Sequence, residues 1–408
     1  MRIAQINMFS NGSTGSIMLR IAEEARNRGH VVRTYSAASI DNKLEKPVND
    51  NHFIFGSYIE NKMHVYLGVA TGRNGFFSFF GTRQLIKNLE EFDPEIIHLH
   101  NLHRFCIDLP MLFRYINKKK IRVIWTLHDC WSFTGKCPHF EMKKCDKWLS
   151  GCGGCPSVGD YPKSMVDSTR SMYQKKKEMF TSVSDMTIVT PSRWLAEQVS
   201  KSFLNKYETK VIYNGIDTDA FKPTDGDFRE SANCKDKTIL LGVAFDWSDR
   251  KGLDVFNALA EMLNDRYQLV LVGVNDNVAK TLSPKIIALS RTESQEKLAE
   301  LYSTADIFIN PTREEVLGLV NLEALACGTP VITFNSGGSP ETINEKCGAV
   351  VEKDDLTALK EKIELVAATR PFTAEDCIQR ASEFKKSDKF KEYIDLYEDS
   401  THSSHVAI

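Results

Sequence analysis

The sequence predicts an α/β protein built from two doubly wound domains. Its 408 residues are more than the roughly 100 to 200 residues usual for one domain. Short apolar runs alternate with helical patterns, which is typical of parallel sheets covered on both faces. The alternation stops at a polar stretch, residues 224–237, and then starts again. We therefore expect two domains, each with its own sheet and core.

The composition is that of a folded protein in water. Apolar residues make up 42% of the chain and charged residues 26%, which excludes long disordered, collagen-like and disulfide-rich miniprotein chains. The first residues lack the apolar run of a signal peptide. No stretch approaches the about 18 apolar residues that a membrane span needs. We expect a cytoplasmic location, either in solution or at the inner face of the cytoplasmic membrane.

The first domain is predicted to comprise residues 1–216. It opens with a strand, a glycine loop, a helix at residues 17–28 and a second strand at residues 31–35, a β-α-β opening. Residues 41–81 fit this pattern poorly. Further predicted strands lie at residues 96–99, 123–127, 187–189 and 210–213.

The second domain is predicted to comprise residues 217–384, and a helix over residues 385–400 is expected to pack back on the first domain. Ligands of paired doubly wound domains usually bind at the carboxyl ends of the strands, so we expect the site in a cleft between the domains. The predicted strands of the second domain lie at residues 238–243, 267–272, 286–289, 307–309, 331–333 and 349–351.

The two halves differ in charge. Residues 1–216 carry 30 Lys and Arg against 20 Asp and Glu, a net charge of +10, and the remainder carries 22 against 34, a net charge of −12. Basic runs at residues 118–120 and 175–177 contribute to the first value. They are either a solvated face or a peripheral contact with an anionic membrane. No nucleic-acid-binding motif accompanies them, so we expect no nucleic acid partner.

The first glycine loop could hold a phosphate. Gly12 and Gly15 lie between a strand and a helix, where backbone N–H groups and the helix N-terminus attract anions. The loop lacks the full G-x-G-x-x-G spacing, and no acidic residue ends the second strand to hold an adenosine ribose, which disfavours a dehydrogenase. A tight turn that caps the helix is the alternative.

The most specific motif lies in the second domain. Glu315 and Glu323 are eight residues apart, close to two helical turns, and the sequence Gly328-Thr329-Pro330 ends a helix before the next strand. With Gly337-Gly338-x-x-Glu341, this E-x7-E pattern resembles the family 4 glycosyltransferases of the GT-B fold. The resemblance covers nearly the whole chain.

The resemblance implies roles for individual residues. Glu323 would bind the ribose hydroxyls of a nucleotide, and Glu315 the hydroxyls of the sugar. Lys251 would bind the diphosphate as a point cation. Gly318 and Leu319 would belong to the same donor site. The alternative for Glu315 is a solvated carboxylate at a helix start.

One position departs from the family pattern. Many members carry an arginine six residues before the lysine as a second diphosphate clamp, and Phe245 stands there in this chain. Arg250 or a backbone glycine loop would then share the charge. An exposed arginine without a role is the alternative for Arg250.

Histidines follow two predicted strands of the first domain. His128 comes at the end of a strand, where the resemblance places a histidine near the reacting sugar and the acceptor. A structural pair with Asp129 is the alternative. His98, His100 and His103 flank the same place, and without a nearby carboxylate we do not expect them to bind a metal.

Five of the ten cysteines lie in residues 130–155, a segment similar to one found in a capsule and exopolysaccharide (colanic-acid-type) subgroup of these enzymes. Cys137, Cys145, Cys152 and Cys155 could supply four thiolates to a structural zinc ion, since Cys152 and Cys155 have zinc-knuckle spacing. Reduced buried thiols and disulfides are the two alternatives.

Taken together, the resemblance implies a retaining glycosyltransferase in which Lys251, Glu315 and His128 are the catalytic-site residues. A sugar would move from a nucleotide-diphosphate donor to a glycan or lipid-pyrophosphate-linked acceptor in cell-surface polysaccharide biosynthesis. No cofactor is expected for catalysis, because fixed cations and N–H groups can stabilise the departing diphosphate. The alternatives are a non-catalytic nucleotide-sugar-binding subunit and a nucleotide-sugar epimerase of GT-B architecture.

Overall fold

A computed structural model describes residues 1–41, 46–103 and 105–399. The chain divides into two compact units, Met1–Ile212 together with the chain from Phe390 onward, and Tyr213–Lys389. Each unit has one parallel sheet with helices on both faces, so the predicted fold class is confirmed. The units divide a few residues from the predicted bounds of 216 and 384.

The first unit contains a seven-stranded parallel sheet in the order β3-β2-β1-β4-β5-β6-β7. Its strands are β1 (Arg2–Asn7), β2 (Val31–Ala37), β3 (His52–Phe55), β4 (Ile96–Leu99), β5 (Arg122–Thr126), β6 (Met186–Thr190) and β7 (Glu208–Val211). Its helices are α1 (Gly12–Asn27), α2 (Tyr58–Thr71), α3 (Phe79–Phe92), α4 (Leu109–Lys119), α5 (Thr169–Phe180) and α6 (Arg193–Lys201).

The second unit contains a six-stranded parallel sheet in the order β10-β9-β8-β11-β12-β13. Its strands are β8 (Thr238–Val243), β9 (Tyr267–Val272), β10 (Ile286–Leu289), β11 (Ile307–Asn310), β12 (Val331–Phe334) and β13 (Gly348–Val351). Its helices are α7 (Phe228–Ser231), α8 (Leu253–Met262), α9 (Asp276–Ala279), α10 (Gln295–Thr304), α11 (Leu319–Ala326), α12 (Leu356–Thr369) and α13 (Ala374–Ser382).

Alternation along the central strands builds two cores in the second unit. On β8, Ile239 and Leu241 face one core while Leu240 faces the other. Because successive side chains of a strand point to opposite faces, a sheet buried on both sides must be apolar at every position. The continuous apolar runs in the sequence therefore reflect a sheet covered by helices on both faces.

The last helix, α14 (Lys386–Glu398), completes the first unit. It shares a core with Ile3, Ile21 and Ile124 through its buried residues Phe390, Tyr393, Ile394, Leu396 and Tyr397. The guanidinium of Arg122 donates hydrogen bonds to the carbonyl oxygens of Leu396, Tyr397 and Asp399. A cation at a helix C-terminus satisfies carbonyl groups that have no partner within the helix.

The poorly patterned segment, residues 41–81, contributes β3 and α2, which sequence analysis missed. Among the described helices, none is both long enough and apolar enough to cross a membrane.

Candidate functional site

In each sheet the strand order reverses at one point, and the loops there carry most of the predicted site residues. The reversal lies between β1 and β4 in the first unit and between β8 and β11 in the second. In open parallel sheets, ligands bind outside the carboxyl ends of the strands at such a point.

In the second unit, Lys251 and Glu315 form an ion pair. Lys251 ends a short 3-10 turn after β8, and Glu315 lies in the loop after β11, so neighbouring strands bring them together. The Lys251 Nζ donates to Glu315 Oε2 at 2.7 Å, and both side chains are about one-fifth exposed. A partly exposed pair keeps its charges available to a polar ligand.

Glycine allows a third loop to reach Glu315. Gly337, in the loop after β12, has a φ of 54°, and a Cβ there would lie 1.6 Å from the Glu315 carbonyl oxygen. The next N–H group, that of Gly338, donates to this oxygen at 3.1 Å. Any residue with a Cβ at position 337 would therefore push the two loops apart.

The N-terminus of α11 faces the same loops. Gly318 precedes the helix with a φ of 87°, and a Cβ there would lie 3.1 Å from the hydroxyl oxygen of Ser339. The Ser339 hydroxyl is buried without a hydrogen-bond partner in the described structure. Leu319 begins the helix and packs its side chain on the core, which leaves its backbone N–H for any ligand contact.

Glu323 is held differently from Glu315. Only Glu323 lies on α11, because the helix begins at Leu319, so the eight-residue spacing does not correspond to two turns of one helix. The Tyr302 hydroxyl donates to Glu323 Oε2 at 2.9 Å. Burial raises the pKa of Glu323 to about 7, although the Tyr302 hydrogen bond opposes the rise.

The cations around Lys251 differ in their exposure. Arg250 is partly buried, and its Nη1 lies 3.4 Å from the carbonyl oxygen of Glu314. Phe245, at the position where many relatives carry arginine, is 82% exposed. The guanidinium of Arg291 lies over the Phe245 ring, 4.9 Å from its centroid. A cation is therefore present beside Phe245, supplied by the loop after β10.

In the first unit, the glycine loop leads directly into α1. Gly12 is exposed, has a φ of 69° and begins the helix. A Cβ on Gly15 would lie 2.5 Å from the backbone of Ser10, so close packing of the loop requires a glycine there. Both the phosphate-binding interpretation and the helix-capping interpretation fit this geometry.

His128, His100 and His98 form a stacked series at the ends of β5 and β4. The His128 Nε2 lies 3.2 Å from the His100 Nδ1, and the rings of His98 and His100 are 4.2 Å apart. Burial lowers the pKa of His128 to about 4 and that of His98 to about 3. The imidazoles are therefore neutral near pH 7, and His128 is the one of the three that is partly exposed.

Asp129 pairs with His103 rather than with the adjacent His128. Its Oδ2 lies 2.7 Å from the His103 Nε2, and the other ring nitrogen of His103 lies 3.2 Å from the Tyr161 hydroxyl. Burial opposes ionisation of Asp129, but the charge and hydrogen bond of His103 outweigh it and lower the pKa of Asp129 to about 2. An ionised carboxylate therefore orients the His103 ring.

The four predicted zinc ligands, Cys137, Cys145, Cys152 and Cys155, are partly exposed, and none of the ten cysteines, all of which lie among the described residues, is in a disulfide. The N–H groups of Gly135 and Ser157 donate to the sulfur atoms of Cys152 and Cys155 at 3.1 and 3.4 Å. Across the described residues, however, no group of three or more His, Cys, Asp and Glu side chains is arranged to hold a metal ion. Structural zinc therefore stays a prediction.

Lys176 is not part of a basic surface. Its side chain is fully buried, and its Nζ donates to the carbonyl oxygen of Trp131. The same Nζ lies 3.7 Å from the centroid of the Trp131 ring. By contrast, the lysines at positions 118, 119 and 120 are exposed.

The structure thus gathers the predicted residues into two groups, one in each unit. Lys251, Glu315 and Gly318 lie together in the second unit, and His128 lies beside His100 in the first. Sequence analysis did not identify roles for Ser339, Tyr302, Arg291 or the pair of His103 with Asp129. The nearby motif Gly337-Gly338-x-x-Glu341 could have drawn attention to Ser339, but the other contacts depend on tertiary packing.

Family models match both units. The model "Glycosyltransferase Family 4" matches residues 14–220, and "Glycosyl transferases group 1" matches residues 226–384. Among curated proteins, WcaC of Escherichia coli (strain K12), named provisionally as a colanic acid biosynthesis glycosyl transferase, is 22% identical over 422 residues. This alignment covers 98% of this chain and all of that protein.

Solved structures share the fold over nearly the full length. Sucrose-phosphate synthase from Thermosynechococcus elongatus has a TM-score of 0.72 at 19% identity, covering 99% of this chain and 100% of that one. Anabaena HepE in complex with UDP and glucose has a TM-score of 0.65 at 17% identity, covering 98% of this chain and 100% of that one. At these identities the likeness concerns the fold.

Proposed function

Because the chain belongs to glycosyltransferase family 4 and is a glycosyltransferase, we propose that it moves a sugar from a nucleotide-diphosphate donor to a polysaccharide precursor, a glycan or a lipid-pyrophosphate-linked acceptor. The donor binds the second unit, the acceptor binds the first, and the anomeric configuration is retained. The observation that carries the proposal is the convergence of Lys251, Glu315 and the α11 N-terminus on one sheet edge.

The donor diphosphate meets fixed positive charge at this edge. Lys251 supplies a point cation, and the first two N–H groups of α11, those of Leu319 and Val320, have no partner within the helix. The buried Ser339 hydroxyl beside Gly318 gains a partner when a phosphate oxygen arrives. We assign the second cation to Arg291, which lies over Phe245 where many relatives carry an arginine. With these charges, catalysis needs no divalent cation.

The two motif carboxylates bind hydroxyl groups. Glu315 accepts from the sugar while it remains paired with Lys251, which fixes the sugar relative to the diphosphate. Glu323 accepts from the ribose in its ionised form, assisted by the Tyr302 hydroxyl. Because burial raises the pKa of Glu323 to about 7, its carboxyl changes between the protonated and the ionised form within the physiological pH range. Donor binding then favours the ionised form.

The acceptor side is built from neutral histidine. His128 can accept a hydrogen bond from an acceptor hydroxyl, or donate one, without changing charge near pH 7. The colanic acid assignment of WcaC supports a polysaccharide precursor as acceptor. UDP in the HepE complexes supports a nucleoside diphosphate as the leaving group.

The proposal is tested by incubating the protein with a panel of nucleotide sugars, with and without lipid-pyrophosphate-linked and free glycan acceptors. We expect nucleoside diphosphate release that depends on an acceptor, and a product whose anomeric proton coupling matches the donor. Release of nucleotide and an altered free sugar without an acceptor would indicate an epimerase. Binding without any release would indicate a non-catalytic subunit.

A further inference from the structure

Helix α2 of the first unit exposes its apolar side and buries its polar side. Its exposed positions are all apolar, and they fall on one face at spacings of four, three, one and three residues. Ile59 is 68% exposed and Tyr66 is 73% exposed. The buried positions are instead polar or small: Asn61, His64 and Gly68. The complete exposed set is Ile59, Met63, Tyr66, Leu67 and Ala70.

Specific contacts fix this orientation. The Asn61 side chain donates to the Ala38 carbonyl oxygen at 2.7 Å and accepts from the Ser78 hydroxyl at 3.2 Å. The two ring nitrogens of His64 lie 2.7 Å from the Ser78 hydroxyl and 3.1 Å from the Gly75 N–H. A rotation that buried the apolar side chains would break four hydrogen bonds inside the unit, so the helix stays as it is.

Two phenylalanines at the start of α3 add to the exposed apolar surface near the first turn of α2. Phe79 and Phe80 are both exposed, Phe80 by 74%. The Glu60 carboxylate accepts from the N–H groups of Phe80 and Gly81 at 2.7 and 2.9 Å, which ties this turn to the first turn of α2. At the other end, the N–H of exposed Met165 donates to the Val69 carbonyl oxygen at 2.8 Å. We call Ile59, Met63, Tyr66, Leu67, Phe79 and Phe80 the α2 apolar face.

The surroundings favour a lipid surface as the occupant. Lys62 lies on α2, Arg73 lies two residues after it and Arg83 lies on α3, while the one carboxylate of α2, that of Glu60, is bound to N–H groups. The sequence up to residue 216 has a net charge of +10. Apolar and aromatic side chains on one helical face, bordered by cations, are the features of a helix that lies in an anionic membrane interface.

We propose that the α2 apolar face inserts into the headgroup region of an anionic bilayer. The helix is about 21 Å long from its rise per residue, so it would lie in the plane of the membrane rather than cross it. None of the residues of the α2 apolar face is among those assigned to donor binding or to catalysis. Failure of this docking would therefore leave the proposed transfer reaction standing.

The experiment is co-sedimentation of the full chain with phosphatidylcholine vesicles that contain phosphatidylglycerol. We expect the double variant Met63→Ser with Tyr66→Ser to lose most of its vesicle binding, at least about tenfold, because both side chains leave the interface. Exposed apolar residues of the second unit give a matched control, Leu365→Ser with Ile378→Ser, which should bind as the parent does.

Two measurements keep the result interpretable. Circular dichroism and thermal unfolding should be unchanged, since the replaced side chains are exposed. Nucleotide release with a free glycan acceptor should also be unchanged, which separates this result from failure of the transfer reaction. Equal vesicle binding by parent and variant would overturn the proposal. So would a parent dimer that becomes monomeric in the variant while neither binds vesicles, because the face would then be a protein interface.

Discussion

The two sheets share the same order over their first six strands, but their loops carry charged groups in one unit and neutral histidines in the other. Each sheet reverses its strand order once, at β1 and β4 or at β8 and β11. The second unit places an ion pair there, Lys251 with Glu315, and beside it a carboxyl whose pKa burial raises to about 7. The first unit places histidines there whose pKa values burial lowers. The fold therefore fixes where a ligand would bind, and the loop residues fix which charges it would meet.

This contrast predicts the largest effect at Lys251. Charge grows on the diphosphate as the glycosidic bond breaks, so Lys251→Ala should lower kcat about 100- to 1,000-fold, the usual cost of removing one such stabilising group. The donor Kd should rise much less, because ground-state binding keeps the helix N-terminus and Arg291. Steady-state kinetics and calorimetric titration separate the two quantities.

The matched control is Lys280→Ala, an exposed lysine of the same unit, which should behave as the parent. Arg291→Ala should give an intermediate loss, since its guanidinium is exposed and partly screened. An increase in KM alone for Lys251→Ala would mean that the lysine binds substrate and transition state equally.

The first unit should respond less strongly. His128→Ala should lower kcat about 10- to 100-fold with the donor Kd unchanged, because one neutral hydrogen bond to the acceptor is lost. His128→Gln retains a donor and an acceptor and should recover part of the rate. A changed donor Kd in His128→Ala would contradict the assignment of His128 to the acceptor side.

The functional residues of the second unit could be predicted from the sequence more completely than those of the first. The residues of the proposed donor site could be predicted from the sequence, because a ligand held by backbone groups needs glycines and carboxylates at fixed spacing, as from Glu315 to Gly338. The pairing of His103 with Asp129 joins the ends of two strands, and no local pattern specifies it. The α2 helix was missed although its apolar positions have helical spacing, and periodicity alone would have placed that stripe in a core. Its outward orientation depends on the hydrogen bonds of Asn61 and His64, which no local pattern specifies.

A smaller effect is expected from pH. If only ionised Glu323 binds the ribose, donor affinity should rise about tenfold between pH 6 and 8, because a carboxyl with a pKa of about 7 goes from mostly protonated to mostly ionised. Glu323→Gln should abolish this slope. Tyr302→Phe should move its midpoint to higher pH, since the lost hydrogen bond favours the ionised form.

Titration of donor binding across this range is the measurement, and the histidines provide an internal comparison. Burial lowers the pKa of His128 to about 4, so its protonation should contribute nothing between pH 6 and 8. A flat donor-binding profile in the parent would show that the protonated carboxyl also binds the ribose.

The smallest catalytic effect should come from chelation. EDTA should leave the initial rate unchanged, because the proposed charge stabilisation uses Lys251, Arg291 and backbone N–H groups. Long incubation should nevertheless loosen the cysteine segment if Cys137, Cys145, Cys152 and Cys155 hold zinc, because metal binding to such a segment contributes directly to folding. Two observations fit a zinc site: backbone N–H groups point at two of the sulfurs, and buried Lys136 and Lys176 lie within electrostatic reach of the thiols.

Four thiolates around Zn²⁺ carry a net charge of −2, which two nearby lysines would balance without a carboxylate. Elemental analysis of the purified protein, together with a count of reactive thiols, decides between the alternatives. One zinc per chain, with thiols that react only after EDTA, is the expected result. No zinc and ten titratable thiols would identify the segment as reduced cysteines stabilised by Lys136 and Lys176, whose ammonium groups donate to backbone carbonyl oxygens. In that case EDTA would change neither the thermal unfolding nor the initial rate.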